Sequence, residues 1–67
     1  MSTDIATVFE RGGQYGIDVY IGTGGVAVFA FAAADRRGTK VWLDRAGVEA
    51  LREALAEALA RVGGGSQ

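Results

Sequence analysis

Hydrophobic and polar positions alternate along much of this chain, and the places where the alternation fails are equally informative. In QYGIDVYI, Tyr15, Ile17, Val19 and Ile21 fall on one side and Gly16, Asp18 and Tyr20 on the other, the two-residue period of a strand. IATVFER, from Ile5 to Arg11, is rich in β-branched and aromatic residues and predicts a strand before it, and TKVWL, from Thr39 to Leu43, predicts a later one. Between them VAVFAFAAA, Val26 to Ala34, has no polar side chain in nine positions, so a strand here is apolar on both faces. After Leu43 the period changes. Val48, Leu51, Leu55, Ala58, Leu59 and Val62 recur at three- and four-residue steps, which predicts an amphipathic helix. Asp44 is placed to cap it, Leu43 and Val48 to form a hydrophobic staple across its start, Glu57 and Arg61 to pair across one turn, and Gly63 to end it.

Glycine clusters separate these segments, and the short connections favour antiparallel neighbours. The predicted architecture is α+β: a four-stranded antiparallel β-meander followed by one C-terminal amphipathic helix packed on one sheet face. Residues 1–62 form a single ββββα domain, and 63–67 a flexible Gly-rich tail.

Loops of even length set the pairing. Val8 then lies opposite Ile17, Val19 opposite Val28, Ala32 opposite Val41 and Phe31 opposite Trp42. One face gathers Ala6, Val8, Tyr15, Ile17, Val19, Ile21, Val26, Val28, Ala30, Ala32, Val41 and Leu43; because Leu43 leads into the helix, this face is assigned to the helix. The opposite face gathers Ile5, Thr7, Phe9, Gly16, Asp18, Tyr20, Ala27, Phe29, Phe31, Lys40 and Trp42, with five of the six aromatic residues. Left in water, those rings make a larger apolar patch than monomers normally carry. A second copy of the chain is the expected cover.

The totals point the same way. A chain of 67 residues lies near the lower limit for folding on its own core, and such domains lean on disulfides, metals or partner subunits. Cysteine and histidine are both absent, which removes disulfides, Cys/His zinc sites and histidine bases. No nucleophile–base pair or metal set stands out, so neither an enzyme nor a cofactor is expected. Lys and Arg total 7 against 8 Asp and Glu, and the pI near 5.1 disfavours a polyanion partner. No segment reaches the roughly 20 apolar residues of a membrane span, and MSTDIATVFE lacks the order of a signal peptide; a cytoplasmic protein is expected. The bias toward Ala, Gly, Val and Arg fits a GC-rich bacterial or phage genome.

Three binding readings follow. The first is a small homodimeric regulatory module acting through Phe9, Asp18, Tyr20, Phe29, Phe31 and Trp42, with the carboxylate of Asp18 paired to Lys40 or to an arginine of the second copy. Helix-mediated dimerisation is a variant of it, since Ala54, Ala56, Ala58 and Ala60 widen the apolar surface of the helix. In the second reading the same face, or a sheet edge, docks a different protein. The third is a platform for single-stranded nucleic acid: Tyr20, Phe29, Phe31 and Trp42 stack bases while Arg11, Arg36, Arg37 and Lys40 hold phosphates. GTKVWLDRAGVEALREALAEAL resembles the end of the positive-cofactor-4 family of transcriptional coactivators, in which a last strand entered from a basic, Gly-containing loop runs into a polar-capped helix. That resemblance covers about the final third of the chain and the strand order, and it implies a homodimer that binds single-stranded DNA, with Arg36, Arg37, Lys40 and Trp42 as the residues involved. Other motifs reduce to structure. GTGG (Gly22–Gly25) resembles a phosphate-binding loop but precedes a strand rather than a helix, and DRRG (Asp35–Gly38) is a turn sequence. Glu49, Glu53 and Glu57 form a solvated helix edge.

Overall fold

The computed structural model describes residues 2–65. Four strands, β1 (Thr3–Phe9), β2 (Tyr15–Gly22), β3 (Gly25–Ala32) and β4 (Gly38–Leu43), form one antiparallel sheet in chain order, and the helix α1 (Arg45–Gly65) follows. This is the α+β meander with a C-terminal helix that the hydrophobic pattern predicts.

Each hairpin closes through an even number of residues, which keeps the two faces distinct. The β1–β2 loop holds itself with its own carboxylate: Gly12 N–H donates to Glu10 Oε1 and Gln14 N–H to Glu10 Oε2, both at 3.1 Å, while Glu10 N–H donates to the Tyr15 carbonyl at 2.9 Å. β2 and β3 meet across Gly22 and Gly25, leaving Thr23 and Gly24 as a two-residue turn. Val8 faces Ile17 and Val19 faces Val28, as expected from the loop lengths.

The β3–β4 hairpin differs from the sequence expectation. Phe31 pairs with Gly38 and Ala27 with Trp42, a shift of four residues from the anticipated Phe31–Trp42 pairing. The turn runs over residues 33–36 rather than Asp35–Gly38. Arg36 closes it in the left-handed region at φ 58°, and Asp35 Oδ1 accepts from Arg37 N–H at 3.2 Å. Gly38 belongs to the strand because a side chain there would fall 1.7 Å from the Ala30 carbonyl oxygen. A shift of four leaves the face of every side chain unchanged, since the strand period is two. β1 carries a second irregularity. The register shifts between Asp4 and Ala6, so Ile5, expected on the aromatic face, is the bulged residue, and Asp4 takes the place opposite Tyr20.

The helix starts where predicted. Asp44 Oδ1 accepts from Gly47 N–H at 2.9 Å, the Asp44 carbonyl accepts from Val48 N–H at 3.0 Å, and Glu57 pairs with Arg61. α1 packs against β3 and β4, and it does so through its first turn, where Gly47, Val48 and the preceding Leu43 are half-buried. From Glu49 to Gly63 every helical residue is exposed. The molecule is 43 Å long, whereas an eight-residue strand spans about 26 Å, so the helix projects past the sheet. It also continues through Gly63, the expected end, to Gly65. Glycine costs a helix about 1 kcal/mol in backbone entropy but introduces no clash. Of the expected tail, Ser66 and Gln67 lie outside the described residues.

Candidate interaction surfaces

The register arranges each face of the sheet in rows that cross all four strands. On the aromatic face one row reads Phe9, Gly16, Phe31, Gly38; the next Thr7, Asp18, Phe29, Lys40; the third Asp4, Tyr20, Ala27, Trp42. In the outer rows a small residue separates two rings and lets them meet above it. Phe9 and Phe31 touch edge-to-face at 5.9 Å over Gly16, and Tyr20 and Trp42 at 6.0 Å over Ala27. A side chain at position 16 would lie 2.9 Å from both phenylalanine rings. Phe29 stacks on Phe31 at 5.5 Å.

Charge completes this surface. The Arg36 guanidinium lies 4.2 Å above the Phe31 ring and donates to Asp18 Oδ2 at 2.9 Å, while the Thr7 hydroxyl donates to Asp18 Oδ1 at 2.6 Å. Asp18 therefore finds its cation within the chain, from Arg36 rather than from Lys40 or a second copy. Lys40 Nζ sits 5.5 Å from the Tyr20 ring centre and 5.6 Å from that of Trp42. The outcome differs from the expected bare aromatic patch: the two buried hydrophobic residues, Ala27 (0% exposed) and Phe31 (3%), both lie on this face. Trp42 and Phe9 remain exposed at its margins, and Tyr20 and Phe29 are half-buried. Arg36 and Lys40 are thus assembled with the rings, whereas Arg11 and Arg37 lie exposed at the loop end of the sheet. Thr7 and Gly16 also belong to this arrangement. Strand alternation places both on this face, and the cross-strand rows give each its part: Thr7 beside Asp18 and Gly16 beneath the two phenylalanine rings.

The opposite face, here the valine face, has rows Val8, Ile17, Ala30, Thr39 and Ala6, Val19, Val28, Val41, followed by Ile21, Val26, Leu43. These three rows carry no charged side chain, and Glu10 and Arg37 stand beyond them at the loop end of the face. The helix was expected to cover it, yet only the Val26–Leu43 end meets α1. Val8 (60% exposed), Ile17 (42%) and Val41 (49%) stand open, and so do Leu51, Leu55, Leu59 and Val62 on the helix. A trough of about 580 Å³ runs along the first row, with Glu10 and Arg37 at its end. The physical reason is the path of the helix: the Asp44 cap sets its direction at the sheet margin, and only one turn stays in reach.

The chain exposes 5318 Å², whereas a folded monomer of 6.9 kDa exposes about 4,000 Å², an excess of about 1,300 Å². Among the described residues no group of three or more Asp or Glu is gathered as a metal site, and no helix is long and apolar enough to cross a membrane. The Glu10 carboxyl is held below its ordinary value by the hydrogen bonds from Gly12 and Gln14. No protein-family model, curated protein or solved structure matches this chain.

Proposed function

We propose that this chain is a non-catalytic binding module that works as a homodimer, joined through the valine face and turning its aromatic face outward. The observation that carries the reading is the excess of exposed surface together with the open apolar side chains Val8, Ile17 and Val41 on the valine face and Leu51, Leu55, Leu59 and Val62 on the helix. Two copies that hid it would bury about 2,600 Å² together, within the range of obligate homodimers, roughly 2,000–5,000 Å². Several polar side chains have structural work: Asp18 and Arg36 close the aromatic cluster, Glu10 holds a loop and Asp44 caps the helix. This reading moves the interface from the aromatic face, the sequence expectation, to the opposite side. Light scattering at micromolar concentration tests it. The expected result is a dimer for the wild type and for Trp42→Ala, and a dissociation constant raised at least tenfold, or about 1.4 kcal/mol, for Ile17→Ser. A monomeric wild type overturns the reading; a dimer broken by Trp42→Ala but not by Ile17→Ser returns the interface to the aromatic face.

A single-stranded nucleic acid on the outward face is the second reading. The placement of Lys40 beside Tyr20 and Trp42 favours it, because a cation and ring surfaces are presented together. Its site is smaller than the one expected from sequence, since Phe31 has no free ring face and Arg36 is engaged by Asp18. A titration of fluorescent single-stranded DNA that finds no salt-dependent binding removes it.

A further inference from the structure

We infer that the two copies exchange helices, α1 of each crossing the open valine face of the other. The inference rests on the homodimer reading and specifies what occupies the face.

Each chain presents two apolar surfaces that it does not cover: the sheet face around Ile17 and Val41, and the helix stripe Leu51, Leu55, Leu59 and Val62. Two copies joined sheet to sheet leave both helices bare. Two copies joined only by their helices leave both sheets bare. Reciprocal exchange covers all four surfaces in one two-fold contact, in which each copy gives what it receives.

The dimensions agree. From Leu51 to Val62 the stripe is about 16 Å long at 1.5 Å per residue. Four strands spaced about 4.8 Å apart put the outer two roughly 14 Å from each other. One stripe therefore reaches across one sheet. The relief agrees too: the trough along Val8, Ile17, Ala30 and Thr39 is lowest where Ala30 offers only a methyl group, which leaves room for leucine side chains from above. The polar side of the helix carries its own ion pairs, Arg45–Glu49 and Glu57–Arg61, and needs no charged partner from the sheet. The central rows of the valine face offer none, and Glu10 and Arg37 stand only at its loop end. The chain's own helix does not occupy this position: from Glu49 to Gly63 its residues are exposed, and its contacts with β3 and β4 are made by the first turn.

The absence of cysteine makes the test clean. Single-cysteine variants on the helix (Leu51→Cys, Leu55→Cys, Leu59→Cys) and on the sheet (Ile17→Cys, Val28→Cys, Val41→Cys) are tagged differently, mixed in pairs, refolded together and oxidised. Light scattering runs on the same samples. The expected result is a dimer in which at least one helix–sheet pair gives tenfold more mixed disulfide than like–like product. Dimers that yield only helix–helix or only sheet–sheet disulfides, or none in any of the nine pairings, overturn the exchange and leave the dimer standing. Samples that stay monomeric overturn both.

Discussion

On one side of the sheet five rings, an alanine and two glycines interlock; on the other, mostly valines, isoleucines and alanines lie side by side. The strands are the same, and so is the hydrogen-bonded ladder. What differs is the relief. Where large and small residues alternate across strands, as Phe9, Gly16, Phe31 and Gly38 do, the large ones lean over the small and cover one another. Arg36 and Lys40 then lay their stems and charges over the rings. Where neighbours are short and aliphatic, as in Ala6, Val19, Val28 and Val41, no side chain of the row is fully buried, and Val41 stays 49% exposed. An aromatic face can thus be the better buried of the two, and an aliphatic face the one that needs a partner.

The strongest way to break this contrast is to truncate one residue on each face. Phe31→Ala removes the largest buried side chain and the ring that Phe9, Phe29 and Arg36 all touch. A loss of about 3–5 kcal/mol is expected, comparable with the whole stability of a small domain. Denaturant titration followed by circular dichroism should show it equally at any protein concentration. Ile17→Ala removes an open side chain, so its cost should appear chiefly as a stronger dependence of the midpoint on protein concentration. Equal, concentration-independent losses would mean that the two faces are not different in kind.

Filling a gap is the next test. Gly16→Ala sets a methyl group 2.9 Å from the rings of Phe9 and Phe31, and both must move. The expected cost is about 1–3 kcal/mol, the usual range for overpacking, with a weakened near-ultraviolet aromatic signal. If Gly16→Ala is neutral, the rings have freedom to separate and the interlocked description fails.

Much of this was legible from the hydrophobic pattern. Element order, the capping role of Asp44 and the membership of nearly every residue on its face follow from periods of two and 3.6, together with even-length loops. Burial did not follow. The pattern shows that a residue faces Ile17's side or Phe31's side, but which side is covered depends on how rows cross the strands. A four-residue shift at one hairpin changes every neighbour in β4 while leaving every face unchanged. Trp42 was expected beside Phe31; it stands beside Ala27, where it meets Tyr20. Arg36 at positive φ was equally hidden, because glycine, not arginine, is the residue that marks such a position. The helix posed the reverse problem. Its apolar stripe was plain in the sequence, but a stripe states only that something is to be buried, not in which copy of the chain.

The smallest effect concerns Glu10, at the loop where β1 hands Val8 to one face and Phe9 to the other. Its two oxygens accept from two backbone N–H groups, Gly12 and Gln14, and those bonds hold its pKa below 4.5. A carboxyl with a lowered folded-state pKa adds stability above its unfolded value, and that addition fades as the pH falls through the folded value. Glu10→Gln keeps one accepting oxygen and replaces the other with an NH₂ donor, so one of the two bonds is lost. At pH 7 the melting temperature of the variant should fall slightly below that of the wild type. As the pH falls through the lowered folded-state value the gap should close, because a protonated Glu10 also retains a single good acceptor. A gap that persists unchanged from pH 7 to pH 3 would show that shape rather than charge holds the loop. If the gap closes while the Ile17→Ala concentration dependence holds steady, the loop and the valine face are independent. If both change together, the β1 edge belongs to the interface, and the trough that ends at Glu10 is part of what the second copy covers.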